Sequence, residues 1–405
     1  MLFTVGGRAD KSSNNAHAEK IYYYPKASVS YRVPVSGFFS EVKVRAAAGQ
    51  SGNLPAYGQK FTELRPANIG GLPISSIATV VADTGVRPER QTEYETGVDA
   101  TLWSGRANLE LTGYQKQIKD LLLTKTLVPT AGFAQLVYNG PEIRNRGLEV
   151  AVSVFPVQTA RFNWNSRVMW FRNYCTVMSG LPNAFQPISF FNFAQFGTTE
   201  LQNGRSCTQV TANDTLGRLG PSDTIRPDGT PGEIGDVVSR KIGENSPTWR
   251  GSLANDLSYK RAKFSFLLER QSGGLITNFS RYTYDAVGTS QDEVVAQSGL
   301  PTGKERVNSA AAFGSATWDA SYWKLREATL SFEVPPSMVH KYWGGSRYLR
   351  LNVTGRNLYT WSKYLKVGYD PEVQQVARSL AAETTWELWA YPPSRSFYFT
   401  IDLGF

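Results

Sequence analysis

The stretch that decides the fold is "SRSFYFTIDLGF", residues 394–405, in which apolar and polar side chains alternate. One set is entirely apolar and comprises Phe397, Phe399, Ile401, Leu403 and Phe405. Because successive side chains of a β-strand point to opposite faces, this stretch predicts a strand with one apolar and one polar face. A soluble protein rarely leaves its last strand in this form, since an exposed apolar edge invites aggregation.

The composition favours strands and turns over helices. Aromatic residues make up 13% of the 405 residues, Gly occurs 36 times and Tyr 20 times, and Met and Cys are scarce. No run of 18 apolar residues occurs, so the sequence encodes no transmembrane helix. The net charge of +9 is spread evenly and no nucleic-acid motif is present, so we expect no nucleic-acid partner.

About twelve strand candidates recur along the chain, most of them in pairs. In "RGLEVAVSV", residues 146–154, Leu148 and every second residue after it are apolar, whereas the residues between them are small or acidic. The stretch "RYLRLNV", residues 347–353, alternates in the same way. In "YWKLREATLSF", residues 322–332, the phase slips near Glu327, which predicts a β-bulge.

The connections between these strands alternate in length. The long connections span residues 9–19, 51–89, 123–143, 177–247, 275–317 and 360–393. The short connections span residues 34–40, 104–106, 156–160, 260–262 and 334–346. This alternation places all long connections on one side, as in outer-membrane barrels with long external loops and short periplasmic turns. A stack of β-sandwiches has no reason to keep that order, so we predict an all-β fold, a transmembrane antiparallel β-barrel.

In such a barrel the apolar faces meet lipid and the last strand pairs with the first, so the terminal strand has no free edge. A final aromatic residue with alternating apolar partners is also the signal by which bacterial outer-membrane barrels are recognised for insertion, which makes the barrel-assembly machinery an expected partner. The polar faces line the lumen. The polar side chains that we expect there are Asp99, Glu149, Lys324, Arg326, Arg350 and Arg356.

The sequence offers no pattern for bond chemistry. It has only two histidines and no nucleophile elbow, so we expect neither an enzyme, a cofactor nor a metal site. Two long connections are rich in aromatic rings, which suit sugars, apolar peptide side chains or a lid. The candidates for cargo or lid contact are Phe190, Phe191, Phe193, Trp386, Trp389 and Tyr391. Girdle or loop packing is the alternative for these rings.

Cys175 and Cys207 form a disulfide or remain two free thiols; the sequence leaves both open.

Several segments, in order, resemble the C-terminal part of the SusC/RagA-like TonB-linked outer-membrane transporters. The resemblance covers nearly the whole chain. Its segments include "RADKSS" (8–13), where Lys11 replaces a glycine of the family, "PERQTEYETGVDATLWSGRANLELTGYQKQIKDLLL" (88–123), "IRNRGLEVAVSVFPVQTARFNWN" (143–165), "LNVTGRNLYTWSKY" (351–364) and "YDPEV" (369–373).

The resemblance implies a 22-stranded barrel plugged by an N-terminal domain, of which this chain supplies about twelve strands. It also implies import of oligosaccharides, peptides or similar large nutrients, a SusD-like lipoprotein as lid, and a TonB complex that opens the plug. We recognise no plug domain, TonB box or signal peptide in residues 1–405, and therefore expect a C-terminal fragment in a bacterial outer membrane. Two alternatives remain open, namely a self-contained porin of about twelve strands and a soluble multi-sandwich adhesin or carbohydrate-binding protein.

Overall fold

The computed structural model describes residues 1–127, 129–181, 197–216, 222, 226, 230–233, 235–290, 317–342, 347–372, 386–391 and 393–404. Its main element is one sheet of twelve antiparallel strands in which each strand pairs with its neighbours along the chain. The strands are β1 (Leu2–Asp10), β2 (Tyr22–Val33), β3 (Phe39–Asn53), β4 (Glu89–Leu102), β5 (Ala107–Lys119), β6 (Glu142–Gln158), β7 (Phe162–Ser179), β8 (Trp249–Tyr259), β9 (Ala262–Ser272), β10 (Tyr322–Glu333), β11 (Tyr348–Trp361) and β12 (Ser396–Gly404).

The twelve strands confirm the predicted all-β, barrel-type fold and the alternation of long and short connections. Among the described residues, β1 pairs only with β2 and β12 only with β11, so the sheet is open and has two edges. Because adjacent strands are antiparallel, the short connections all lie at one end of the sheet and the long ones at the other.

The long connections carry smaller elements of their own. Their short strands are Leu64–Ile69, Leu72–Ile77, Val80–Val81, Leu122–Thr126, Gln135–Asn139, Thr198–Thr199, Gln209–Thr215, Val237–Glu244, Leu275–Asn278, Thr317–Asp319 and Trp386–Glu387. The described helices are α1 (Phe279–Val287), in a long connection, and α2 (Pro336–Tyr342), in a short one, and neither could span a membrane. Two 3₁₀ turns cover Pro129–Ala131 and Lys363–Lys366.

The two-residue period sorts the sheet into an apolar and a polar face. On β11 and β12, Val353 pairs with Phe399 on the apolar face, whereas Asn352 pairs with Thr400 on the polar face. The apolar side chains are not covered, since Phe399 is 79% exposed and Leu330 of β10 is 53% exposed. A sandwich would bury these side chains in its core, so their exposure fits a sheet whose apolar face contacts lipid.

Four of the five apolar residues in the terminal stretch lie on the face that the alternation predicts. Phe397, Phe399, Ile401 and Leu403 lie on the apolar face of β12, paired with residues of β11. Phe405 lies outside the described residues. The role of this strand as an insertion signal stays a prediction.

The bulge predicted near Glu327 is present. On β9, Leu267 pairs with Glu327 and Leu268 with Leu325, which leaves Arg326 as the extra residue of β10. On the other side of β10 the same shift leaves Asn357 and Leu358 of β11 without partners in the ladder, and the φ of Asn357 is +52°. Asparagine tolerates this left-handed conformation better than most residues. The bulge lets the consecutive residues Arg326 and Glu327 both reach partners on the polar face.

Compact apolar clusters lie among the long connections rather than between layers. In the structure Cys175 of β7 is joined by a disulfide to Cys207, which lies 32 positions further along the chain. The bond sits in a cluster of buried side chains. The fully or nearly buried members are Leu123, Ile143, Val177, Leu181, Leu201 and Cys207.

We predict that a charge is tolerated on the polar face of β10 and not on its apolar face. Replacement of Leu330 by Arg places a cation against lipid and should destabilise the barrel by about 2–4 kcal/mol near the bilayer midplane. Replacement of the adjacent Ser331 by Arg, on the polar face, is the matched control and should cost less than about 1 kcal/mol. The measurement is equilibrium folding into lipid bilayers; equal effects of the two variants would contradict the assignment of the faces.

Candidate functional site

Two long connections meet over the polar face at the ends of β9 and β10, and charged side chains join one of them to the sheet. We call this group the ionic clamp. Its members are Glu269 of β9, Tyr322, Lys324 and Arg326 of β10, and Asp370 and Glu372 of the connection between β11 and β12.

Lys324 is the centre of the clamp. Its ammonium Nζ lies 2.6 and 2.9 Å from the two carboxylate oxygens of Asp370 and 2.5 Å from Oε2 of Glu372. Lys324 is 4% exposed and Asp370 is 3% exposed. A buried charged group is costly unless it is paired and hydrogen-bonded, and here two carboxylates pair with the Lys324 side chain.

Arg326 extends the clamp to the neighbouring strand. Its guanidinium donates Nε to Oε2 of Glu269 at 2.8 Å and Nη1 to Oε2 of Glu372 at 2.6 Å. The hydroxyl of Tyr322, which is fully buried, lies 2.6 Å from Glu372 Oε1 and 3.0 Å from Glu269 Oε1. Arg326 lies two residues from Lys324 and therefore on the same face, and the bulge brings Glu327 to that face as well.

The acid of the connection is held in its ionised form. Burial alone would raise the pKa of Glu372, but hydrogen bonds from Arg326, Lys324 and Tyr322 lower the pKa of its carboxyl to about 2. The segment is also preorganised locally, since Asp370 Oδ1 accepts a hydrogen bond from the Glu372 N–H at 2.8 Å across Pro371. The sequence Asp-Pro-Glu thus presents two carboxylates to one lysine.

A second cluster, the loop knot, packs next to the clamp. It joins the strands Leu275–Asn278, Thr317–Asp319 and Trp386–Glu387 with α1 and the turn Lys363–Lys366. Ile276 and Tyr364 are fully buried in it. Asn278 caps α1 by accepting a hydrogen bond from the Arg281 N–H at 2.8 Å, and its own amide donates to the Val367 carbonyl at 2.8 Å.

One acid of the loop knot is buried and accepts hydrogen bonds from two neutral donors. Glu387 is 1% exposed, and its Oε2 accepts hydrogen bonds from the Tyr364 hydroxyl at 2.7 Å and the Tyr369 N–H at 3.0 Å. Burial raises the pKa of the Glu387 carboxyl, and nearby Asp370 raises it further, against the effect of these two donors.

The six side chains expected in the lumen all lie on the polar face, but only Lys324 and Arg326 come together. Asp99 pairs with Lys43 at 2.7 Å and with Arg45 at 3.4 Å. Arg350 lies 3.5 Å from Glu333, and Arg356 lies 2.9 Å from Glu327. Glu149 sits between Thr112 and Phe171 in the pairing of β6 with its neighbours.

The aromatic candidates are only partly described. Phe190, Phe191 and Phe193 lie outside the described residues, and Trp386 is placed in a two-residue strand of the loop knot. Trp389 is 54% exposed with its ring 6.1 Å from that of Phe279, and Tyr391 is 94% exposed. Their role in contacting cargo or a lid stays a prediction.

Sequence reasoning missed the acids of both clusters, namely Glu269, Asp370, Glu372 and Glu387. The alternation of β9 could have placed Glu269 on the polar face, because Leu268 beside it is apolar. Asp370 and Glu372 lie in "YDPEV", a segment that supports the family resemblance but gives no indication of which residues its acids contact. No group of three or more His, Cys, Asp or Glu side chains within the described part of the chain is placed to hold a metal ion.

We predict that the clamp holds the connection between β11 and β12 against the sheet. Replacement of Lys324 by Met leaves Asp370 buried and uncompensated, which should loosen residues 362–372 by about 3–5 kcal/mol. Replacement of Arg356 by Met removes a more exposed pair and should change stability by less than about 1 kcal/mol. Hydrogen exchange of the amides of residues 362–372 is the measurement; unchanged protection in the Lys324 variant would contradict the clamp.

Glu387 should make the loop knot less stable at neutral pH than at mildly acidic pH. Since its pKa is raised in the folded protein, the stabilisation by its neutral form is lost as the pH rises through that pKa. Glu372 behaves in the opposite way, because its pKa is lowered in the folded protein. Its ionised carboxyl stabilises the fold at every pH above its usual pKa of 4.5, and this stabilisation is lost only as the pH falls towards 2.

Replacement of Glu387 by Gln should therefore protect the amides of residues 275–278 more strongly at pH 7 and remove their pH dependence above pH 5. The measurement is hydrogen exchange, corrected for the intrinsic effect of pH, across that range. Faster exchange in the Gln variant at pH 7 would show that the carboxylate is favoured in the fold, which would reverse the assignment.

Comparison with known proteins agrees with this architecture. Residues 2–358 match the family model described as "TonB dependent receptor-like, beta-barrel". TonB-dependent receptor P26 of Formosa agariphila is 25% identical, over 93% of this chain and 42% of its own length. TonB-dependent receptor SusC of Bacteroides thetaiotaomicron is 24% identical, over 44% of this chain and 20% of its own length.

Solved structures show the same fold. The RagAB peptide importer in its closed-closed state matches with a TM-score of 0.78 at 17% identity, over 99% of this chain and 45% of that chain. Its open-open state matches with a TM-score of 0.75. The chain spans less than half the length of these proteins. The resemblance found in the sequence is confirmed, and because the family model covers most of its residues, the chain belongs to the TonB-dependent receptor-like β-barrel family.

Proposed function

We propose that this chain forms the C-terminal part of the barrel of an outer-membrane transporter that imports large nutrients, oligosaccharides or peptides. The open twelve-stranded sheet carries this proposal, since it matches 45% of the chain of a peptide importer and leaves two edges to which further strands can pair. In the complete receptor, a plug would fill the lumen against the polar face.

The long-connection end would meet cargo and a SusD-like lipoprotein lid, and the TonB complex would act on the plug from the periplasm. Two features support contact of cargo and a lid with the long-connection end. The exposed rings of Trp389 and Tyr391 lie at this end, and the clamp and the loop knot give the connections around them a fixed shape. Family membership supports the rest, since relatives named SusC and P26 are TonB-dependent receptors. We propose no catalytic step.

Uptake in the source bacterium tests the proposal. Deletion of the receptor gene should abolish growth on an oligosaccharide or peptide mixture and leave growth on monosaccharides and amino acids unchanged. A protonophore should block the uptake, because opening the plug needs energy. In cells that carry the receptor, substitution of Trp389 and Tyr391 by Ala should lower uptake more than substitution of Tyr57, an 86% exposed tyrosine of another long connection.

Other results would separate the alternatives. Uptake that persists with the protonophore and depends only on solute size would indicate a passive porin. Release of the protein from membranes by salt alone would indicate a soluble adhesin or carbohydrate-binding protein. Among the described strands β1 and β12 do not pair with each other, which gives no support to a closed twelve-stranded porin.

A further inference from the structure

Charge is distributed unequally between the two ends of the barrel. The short connections, residues 34–38, 103–106, 159–161, 260–261 and 334–347, contain six basic residues and no acidic residue. The long connections contain 18 basic and 20 acidic residues. We call the six cations the basic rim, and they are Arg106, Arg161, Lys260, Arg261, Lys341 and Arg347.

The basic rim is available to an external anion. All six side chains belong to exposed residues, and none forms an ion pair with an acid among the described residues. Two of them lie over aromatic rings, with Lys260 Nζ 5.4 Å from the Tyr259 centroid and Lys341 Nζ 5.2 Å from the Tyr342 centroid. Tyrosine rings are typical of the boundary between hydrocarbon and lipid headgroups.

An apolar groove adjoins the rim at α2. It has a volume of about 420 Å³ and lies between α2 and the apolar face of β11 and β12. Val339 anchors the helix and is fully buried. The lining residues are Val334, Met338, Tyr342, Leu349, Leu351, Ile401 and Leu403.

The position of the groove indicates which kind of molecule fills it. A strand that pairs with β12 lies in the plane of the sheet and leaves the outer faces of Ile401 and Leu403 uncovered. Those faces meet hydrocarbon in an outer-membrane barrel, and the short turns lie on the periplasmic side. Tyr342 both lines the groove and carries the Lys341 ammonium over its ring, so a cation stands beside an apolar cleft of the size of a small-molecule site.

We propose that the short-turn end binds an anionic phospholipid of the periplasmic leaflet, with one acyl chain in the groove and the phosphate beside Lys341 and Arg347. Apolar contacts in the groove hold the acyl chain in place, and the cations of the basic rim favour negatively charged headgroups. The site lies on the outer surface, away from the lumen and the clamp, so it is independent of cargo.

Lipid retention by the receptor, expressed from its complete gene, tests the proposal. The protein is reconstituted in bilayers of phosphatidylglycerol and phosphatidylethanolamine in equal amounts, extracted in mild detergent, and its bound lipids are quantified by mass spectrometry. The wild type should retain phosphatidylglycerol over phosphatidylethanolamine. Lys341→Glu should lower that preference by about fivefold or more, the effect of removing one cation near an anionic surface.

Matched variants separate the groove from general effects. Leu351→Trp fills the groove and should reduce retention of the bound lipid, whereas Val353→Trp, on the same face of β11 but outside the groove, should not. The two residues are 41% and 42% exposed, respectively. Lys363→Glu, at the long-connection end, is the control for charge.

The results have definite meanings. Loss of preference with Lys341→Glu and loss of retention with Leu351→Trp, with both controls unchanged, would support the site. Equal retention of the two lipids by the wild type, or equal effects of a variant and its control, would overturn it. Reduced retention with Leu351→Trp and no change with Lys341→Glu would overturn the headgroup preference. If Leu351→Trp fails to fold, Lys341→Glu on its exposed helix still decides. None of these results depends on transport.

Discussion

In hydrocarbon every backbone N–H and C=O must find a partner within the protein, and the rest of this structure follows from that constraint. The ten inner strands meet it by pairing in chain order on both sides, each antiparallel to the next, whereas β1 and β12 each have one edge without a partner among the described residues. Chain-order pairing forces connections to alternate between the two ends, and the two-residue period then assigns one face to lipid and one to the lumen. The pairing of neighbouring strands and the two-residue period therefore account for the two faces of the sheet and for the end at which each connection lies.

The same constraint moves the buried cores out of the sheet. With one face in lipid and the other towards a polar lumen, the strands have no second layer to pack against. Burial is instead found among the long connections, in the cluster around the Cys175–Cys207 disulfide and in the loop knot around Ile276 and Tyr364. The disulfide attaches the first cluster to β7 through Cys175, and the ionic clamp attaches the connection of the second cluster to the sheet by joining Asp370 and Glu372 to Lys324.

Features that depend on the alternation of side chains can be predicted from the sequence, whereas contacts that depend on the folding of the long connections cannot. Strands, faces, connection lengths and the bulge near Glu327 all follow from alternation, because a strand buried on one face must keep its period. The partners of Lys324 do not follow, because Asp370 approaches it across 46 residues of chain through loop folding that leaves no period. The pairing of Cys175 with Cys207 is of the same kind, since a cysteine of β7 meets one in a loop.

The two ends of the barrel treat charge in opposite ways, and this difference is informative about their surroundings. At the long-connection end, charges compensate one another inside the protein, as Arg240 does for the fully buried Asp214 at 2.7 Å and Lys324 does for Asp370. At the short-turn end, the described cations have no acidic partner within the described chain, although forming such pairs would take only a few acidic substitutions. Unpaired, exposed cations gain little from the fold itself. Their free energy is lowered by an anionic surface outside it, so the basic rim is best understood as part of an interface with headgroups, while the clamp is part of the structure.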